Sequence, residues 1–299
     1  MSEVLVVGSV ALDTVETPSG RRDGILGGSA THFSLSARHF APVRLVGVVG
    51  RDFPPEHVEK LRRFGIDIEG LEVKEGRTFR WHGRYAGAMD TAETVGVELN
   101  VFGGFRPTVP ERFRGSSVVH LGTAHPGTQA FVLDQLVDPS FVLLDTIELW
   151  IEKEREALTR LLPRVHALCI NHEEALMLSG RANLARAMRD LASRGLRHLI
   201  VKRAEHGATL MSGGRIFAVP SFPTERVVDP TGAGDAFAGG VAGYLAGRGA
   251  RPEFLRRALV YGSAMGSLAV EGFGTEGLEA ATGDAIEERV EALIGMMMP

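Results

Sequence analysis

A single cysteine, Cys169, leaves no internal disulfide and no cysteine-rich metal site to consider. It lies in the apolar run HALCI, so a buried structural thiol is expected rather than a nucleophile. Neither sign of charge is in strong excess. A net charge of −4 and a pI near 6.2 give no electrostatic case for nucleic acid or an anionic membrane as partner. No apolar run approaches the roughly 20 residues that a membrane-spanning helix needs. The opening MSEVLVVGSVALD is strand-like and lacks the basic start of a signal peptide, so the expected location is cytoplasmic. Several motifs are missing too. No G-x-x-x-x-G-K-[ST] occurs, which excludes a P-loop kinase, and no G-x-G-x-x-G follows the first strand, which disfavours a nucleotide-dependent oxidoreductase. Without a G-x-S-x-G elbow an α/β-hydrolase is disfavoured as well. The ten histidines show no metal spacing. His120 and His125, in HLGTAHP, come closest and read as a strand end and a loop residue.

What remains is ordinary globular material. The chain has 299 residues, 44% of them hydrophobic, with a mean hydropathy of +0.04. That suffices for one large α/β domain over residues 1–299. VLVVG (4–8), VRLVGVVG (43–50), SVVHLG (117–122), FVLLD (141–145), ALCI (167–170) and HLIVK (198–202) are too continuous for half-exposed strands. They read as strands buried on both faces of a parallel sheet. Helix-like pieces lie around 128–136, 149–162, 172–179 and 182–194, followed by two more strand-like pieces, ATLM and RIFAVP. This alternation predicts a doubly wound, mostly parallel sheet flanked by helices.

One segment breaks the rhythm. In RTFRWHGRYAG, Phe79, Trp81 and Tyr85 alternate with polar residues, and ETVGVELNVF repeats the pattern with Val95, Val97, Leu99 and Val101. Period-2 alternation predicts a small antiparallel sheet, with lid segments at about 13–26 and 76–103. Such a sheet suits either a lid or a homodimer surface. Its aromatics suit either internal packing or stacking on a nucleobase.

The stretch VVDPTGAGDAFAGG (227–240) sets two aspartates around a turn of small residues that opens a helix. Free N–H groups and the positive dipole end there form an anion site. Asp235 beside it either caps the helix or handles a proton. Gly239, Gly240 and Gly243 serve either close approach at a site or tight helix packing.

The run Asp229-Pro-Thr-Gly-Ala-Gly-Asp-Ala-Phe-Ala-Gly-Gly240 resembles the C-terminal signature of the ribokinase family, also called the PfkB family of carbohydrate kinases. Other landmarks occur in the family's order over nearly the whole chain: GSVALD ending at Asp13, GGSATHFSLSAR (27–38), VGVVGRD ending at Asp52, NHEEA (171–175) and VKRAEHGA (201–208). The resemblance implies a ribokinase-like fold with a small β-sheet lid, and ATP-dependent phosphorylation of an alcohol on a small sugar or nucleoside. It implies Asp235 as general base, and Gly232, Ala233 and Gly234 as an anion hole for the transferred phosphoryl group. Asp13, Gly27, Gly28 and His32 would bind the acceptor, and Asn171, Lys202, Gly207 and Gly232 the nucleotide. Asn171 and Glu174 would hold Mg²⁺ through water, and Asp229 would lie beside a monovalent cation such as K⁺.

Asp229 reads equally as the start of an Asx turn, and Lys202 as a phosphate contact or a solvated lysine. His32 stands where the family usually has asparagine, and Ser29 where ribokinases proper have lysine, so plain ribose is disfavoured. An adenosine-like nucleoside is one alternative acceptor. A catalytically silent sugar-binding or regulatory protein on the same fold is the alternative of another class.

Overall fold

Runs of Val, Leu and Ile with no polar interruption can be satisfied only where both faces of a strand are covered. The computed structural model, which describes residues 2–87, 89 and 92–298, arranges them that way. Thirteen strands are found among the described residues: β1 (Val4–Val7), β2 (Ala11–Thr17), β3 (Gly20–Gly27), β4 (Val43–Gly50), β5 (Ile66–Lys74), β6 (Phe79–Tyr85), β7 (Ala92–Glu98), β8 (Val118–Leu121), β9 (Phe141–Leu144), β10 (Ala167–Asn171), β11 (His198–Lys202), β12 (Ala208–Ser212) and β13 (Arg215–Val219). Nine form one sheet in the order β13-β12-β11-β10-β9-β8-β1-β4-β5. Its seven strands from β5 to β11 run parallel, and β12 and β13 continue it antiparallel. The fold is thus the expected doubly wound, mostly parallel α/β class.

Alternate residues along each strand feed two different cores. Val4, Val6, Leu45, Leu143 and Ile200 pack under the helices Ser29–Ala37, Ala233–Gly247, Leu255–Ala269 and Gly283–Met297. Leu5, Val7, Val46, Leu144 and Ile170 pack under the helices of the middle third, between Pro126 and Ser193. Cys169 is fully buried in the first core, and burial pushes its thiol up to about 12, so it is inert as expected.

In the main sheet and its helices two details differ from the sequence reading. Strand β5, IDIEGLEVK, alternates in polarity because it is the sheet's edge, and a search for continuous apolar runs passes over it. The helix expected over 149–162 is two helices, Glu148–Lys153 and Arg155–Leu161, broken at Glu154, whose φ of −130° lies outside the helical region.

The four remaining strands form a second sheet in the order β3-β2-β6-β7, covering parts of both segments expected in the lid. It is mixed rather than wholly antiparallel: two antiparallel hairpins, β2–β3 and β6–β7, join through a parallel β2–β6 pair. Positions 88, 90 and 91 of the second segment lie outside the described residues. The run ETVGVELNVF does not keep one face throughout. His82 faces Gly96 but Gly83 faces Thr94, so Val95 is the extra residue of a bulge, and a 3₁₀ turn replaces the strand from Asn100. Asp52 fastens the base of this sheet, its carboxylate accepting from the amide and hydroxyl of Thr78 at 2.7 Å each and from Arg80 at 2.9 Å.

Candidate active site

Ligands of open α/β sheets bind beyond the carboxyl ends of the strands. Asn171 and Lys202 close β10 and β11 there, and Asp145 follows β9 directly. The helix Ala233–Gly247 begins close by, with Lys202 against Gly234. Its N-cap, Gly232, has φ +76°, the left-handed region that costs other L-residues about 1–2 kcal/mol. A side chain at 232 would also overlap the ring of His32. The turn is held from below by Asp229, whose two carboxylate oxygens accept from Thr231 N at 2.9 Å and Gly274 N at 2.8 Å. Asp229 therefore acts as an Asx-turn residue and ties the turn to the loop at 270–274. The amide of Ala233 turns back onto the Pro230 carbonyl at 3.2 Å, whereas those of Gly232, Gly234 and Asp235 have no acceptor among the described residues. Three N–H groups thus stand free at the positive end of a fifteen-residue helix.

Asp235 sits in the first turn of that helix, partly buried. Desolvation and the nearby Asp145 carboxylate raise its carboxyl to about 6, against the pull of Lys202 and His32. The interior glycines have a separate explanation. A Cβ at Gly240 or Gly243 would come within 3.0 Å of the backbone of Tyr261 or Ala37, and one at Gly239 would overlap Phe33. Those three glycines serve helix packing, while Gly232 and Gly234 lie against His32 and Lys202 at the candidate site.

The acceptor candidates converge on the other side of the turn. Asp13 on β2 is 4% exposed and its Oδ2 fills the space a side chain at Gly27 would need. Burial, then the charges of Asp229 and Asp235, raise Asp13 to about 7, against the pull of the nearby Gly28 amide. His32, 1% exposed, directs Nδ1 at the Gly28 carbonyl at 3.1 Å. A carbonyl only accepts, so in the neutral ring Nδ1 carries the proton and Nε2 offers a lone pair. Nε2 and Asp13 Oδ1 are both buried without a partner among the described residues. Unpartnered buried polar atoms are uncommon and call for an explanation such as a ligand.

Lys202 is neither solvated nor free. Its ammonium reaches across β10 to Asp145 Oδ2 at 2.9 Å and lies 3.2 Å from where a Cβ on Gly234 would stand. Burial is the largest single influence and disfavours its charge, but the surrounding acidic groups together, Asp145 foremost with Glu174 and Asp235 behind it, outweigh burial and hold Lys202 above the ordinary lysine range. Asp145, which the sequence reading noted only as a strand end, accepts from the Thr146 amide with its other oxygen. The signal for it was its place after a buried parallel strand; its partner, 57 residues on, was not legible.

Asn171 and Glu174 form a capping box. Asn171 Oδ1 accepts from Glu174 N at 2.8 Å, and Glu174 Oε2 accepts from Asn171 N at 2.7 Å. Glu174 is buried, which raises its carboxyl to about 8 despite the attraction of Lys202. Gly207 lies on the turn before β12, where a side chain would overlap Val219 and Pro220. His125 caps the helix Pro126–Leu133, and His120 is buried and stacked on Phe33 at 4.3 Å, so both take the structural roles expected of them. No helix among the described residues is long and apolar enough to cross a membrane.

The second sheet touches the same turn. The Thr231 hydroxyl lies 3.3 Å from the Tyr85 phenol, whose titration is raised to about 12, chiefly by burial. Phe79 packs on Phe102 instead, with ring centroids 5.4 Å apart.

A helix N-terminus with three free amides, a raised carboxyl in its first turn and a second buried carboxyl opposite form a candidate group-transfer site on the α/β scaffold. Comparison with known proteins agrees. The model of the pfkB family carbohydrate kinases matches residues 136–281. A cytidine kinase of Thermococcus kodakarensis is 34% identical over 256 residues, which cover 83% of this chain and 90% of that one. A nucleoside kinase of Methanocaldococcus jannaschii is 23% identical over 97% of each chain. Among solved structures, a Burkholderia thailandensis nucleoside kinase in complex with inosine superposes with a TM-score of 0.84 at 21% identity, over 98% of each chain. The chain belongs to the PfkB, or ribokinase, family. It is an ATP-dependent sugar or nucleoside kinase.

Proposed function

We propose that the protein transfers the γ-phosphoryl group of ATP to a hydroxyl of a nucleoside, with Asp235 as general base. The acceptor oxygen forms its bond to the γ-phosphorus as the bond to the β-phosphate oxygen breaks, ADP leaves, and the hydroxyl proton passes to Asp235. The observation that carries this reading is the position of Asp235, one residue beyond the free Gly232 and Gly234 amides, at the start of one helix. Those amides would meet the charge developing on the phosphoryl oxygens, and Ala233 would join them only if its amide left Pro230. Lys202, fixed by Asp145 under Gly234, supplies a nearby positive charge for the phosphates. Asp13, seated on Gly27 and Gly28, and His32 would accept hydrogen bonds from acceptor hydroxyls. The second sheet would be the lid over them.

Mg²⁺ fits this chain in one way. Among the described residues no cluster of three or more His, Cys, Asp or Glu side chains could hold a metal. Asn171 and Glu174 are already committed to each other, so they suit water-mediated contact with a cation that arrives on the nucleotide phosphates. Such a cation would neutralise charge on the triphosphate. At Asp229 both carboxylate oxygens are taken by amides, so a monovalent ion beside it would depend on neighbouring carbonyl groups. The exposed Val95 of the lid edge suits a homodimer contact.

The test is ADP formation from Mg-ATP over a panel of nucleosides and free sugars, repeated with Asp235→Asn. Turnover with a nucleoside, lost in Asp235→Asn while ligand binding persists, is the expected result. Turnover with free sugars only would refute the acceptor, and an unimpaired Asp235→Asn would refute the base. A protein that binds a nucleoside without turnover would be the silent binder.

A further inference from the structure

The three aromatic residues of β6 have different surroundings. Phe79 belongs to the cluster around Phe102, and Tyr85 meets the catalytic turn through Thr231. Trp81 has no aromatic partner among the described residues and is only partly buried. Its indole is folded flat along its own strand, over Gly83, in the volume that any side chain at 83 would fill. The missing side chain at Gly83 is what leaves room for the ring.

The pairing register puts the Trp81 backbone beside Asp13, with the ring two residues further along the strand, over Gly83. Asp13 pairs with Ile25 on β3 and with Trp81 on β6, and Trp81 pairs with Val97 on β7. Directly paired residues share a face of the sheet. One row therefore runs Ile25, Asp13, Trp81, Val97 across the lid. Tyr85, four residues on from Trp81 and so on the same face, reaches the turn before Asp235, which identifies that face as the one toward the site. Along the row polarity and burial change together: Asp13 is 4% exposed and Val97 is 49% exposed. A closed polar end thus passes into an open apolar shelf one strand spacing away.

We propose that Trp81 is the specificity-determining residue for the acceptor, a stacking platform for its nucleobase, with Gly83 holding the indole flat and Val97 flanking it on the open side. This rests on the nucleoside reading given above. The sugar hydroxyls occupy the Asp13 end of the row, and the flat base extends along the row over Trp81. A free sugar has nothing to lay on that shelf. The selection acts on the presence of a base rather than on its hydrogen-bonding edge, because stacking is tolerant of base identity.

The chain has two tryptophans, so Trp150→Phe leaves Trp81 as the sole indole reporter. In that variant, cytidine and inosine are expected to quench Trp81 fluorescence saturably and ribose to leave it unchanged. Trp81→Ala is expected to raise the nucleoside KM roughly five- to a hundred-fold, with kcat within a few-fold of wild type, and Trp81→Phe to recover most of it. Gly83→Val, which evicts the ring without removing it, should raise KM as Trp81→Ala does. Nucleoside binding seen by calorimetry with silent Trp81 fluorescence, or an unchanged nucleoside KM in Trp81→Ala, overturns the platform while leaving the nucleoside reading intact. A wild-type protein that binds no nucleoside overturns both.

Discussion

Removing the ammonium of Lys202 should show how the site is held. Lys202→Met keeps a long unbranched side chain but leaves Asp145 without its partner. The two side chains are 17% and 1% exposed, so water can do little to replace the lost contact. Breaking a buried pair in this way typically costs about 3–5 kcal/mol, because the remaining charge stays desolvated. For a chain of this size that corresponds to a fall in melting temperature on the order of 10 °C. The pH dependence carries the sharper test. Without Lys202 the folded Asp145 carboxyl lies further above its unfolded value of about 3.9, so the variant's penalty is absent below that value. It grows as pH rises toward the folded value, because only the unfolded chain gives up the proton easily. Glu174 and Asp235 also lean on the same ammonium and push the same way.

Urea denaturation of wild type and variant at pH 4.5 and pH 8, roughly on either side of this window, measures the difference. The gap between the two proteins should be wider at the higher pH. Lys202→Met/Asp145→Leu should regain much of the loss, since an apolar pair of similar size often replaces a buried ion pair at little cost. A penalty below about 1 kcal/mol, equal at both pH values, would refute the argument that this pair is a desolvated charge couple.

Two further outcomes follow from the same geometry. With Asp235 near 6, kcat at saturating Mg-ATP and acceptor should hold at neutral pH and drop about tenfold per unit below pH 6, because the base must be ionised; a profile flat to pH 4.5 would sink the base assignment. Gly232→Ala should lose about 1–2 kcal/mol from its left-handed backbone and more from overlap with His32. The overlap part should vanish in a His32→Ala background, and thermal unfolding of the four proteins would expose an error if Gly232→Ala melted with wild type.

Much of the fold was legible because burial on both faces writes itself as unbroken Val, Leu and Ile, as in VLVV at β1 and FVLL at β9. The edge strand β5 escaped because one side of it meets less covering and its polarity alternates. The turn at 229–235 was legible because its requirements are local: a left-handed glycine, an Asx side chain and a helix start, all within seven residues. The Asp145–Lys202 couple was not, because its members close strands separated by β10 and meet only once the sheet is assembled. NHEE shows how one motif can carry two meanings. The residues read as an Mg²⁺ site are also a complete helix-start signature, Asn at the cap and Glu three residues later.

The contact between Tyr85 and Thr231 has a mechanical corollary. It bridges segments 146 residues apart, and it ends on the residue next to Gly232. If the second sheet is the lid proposed above, an outward swing of β6 would break this contact, so closing the lid and seating the Thr231 side chain beside Gly232 would coincide.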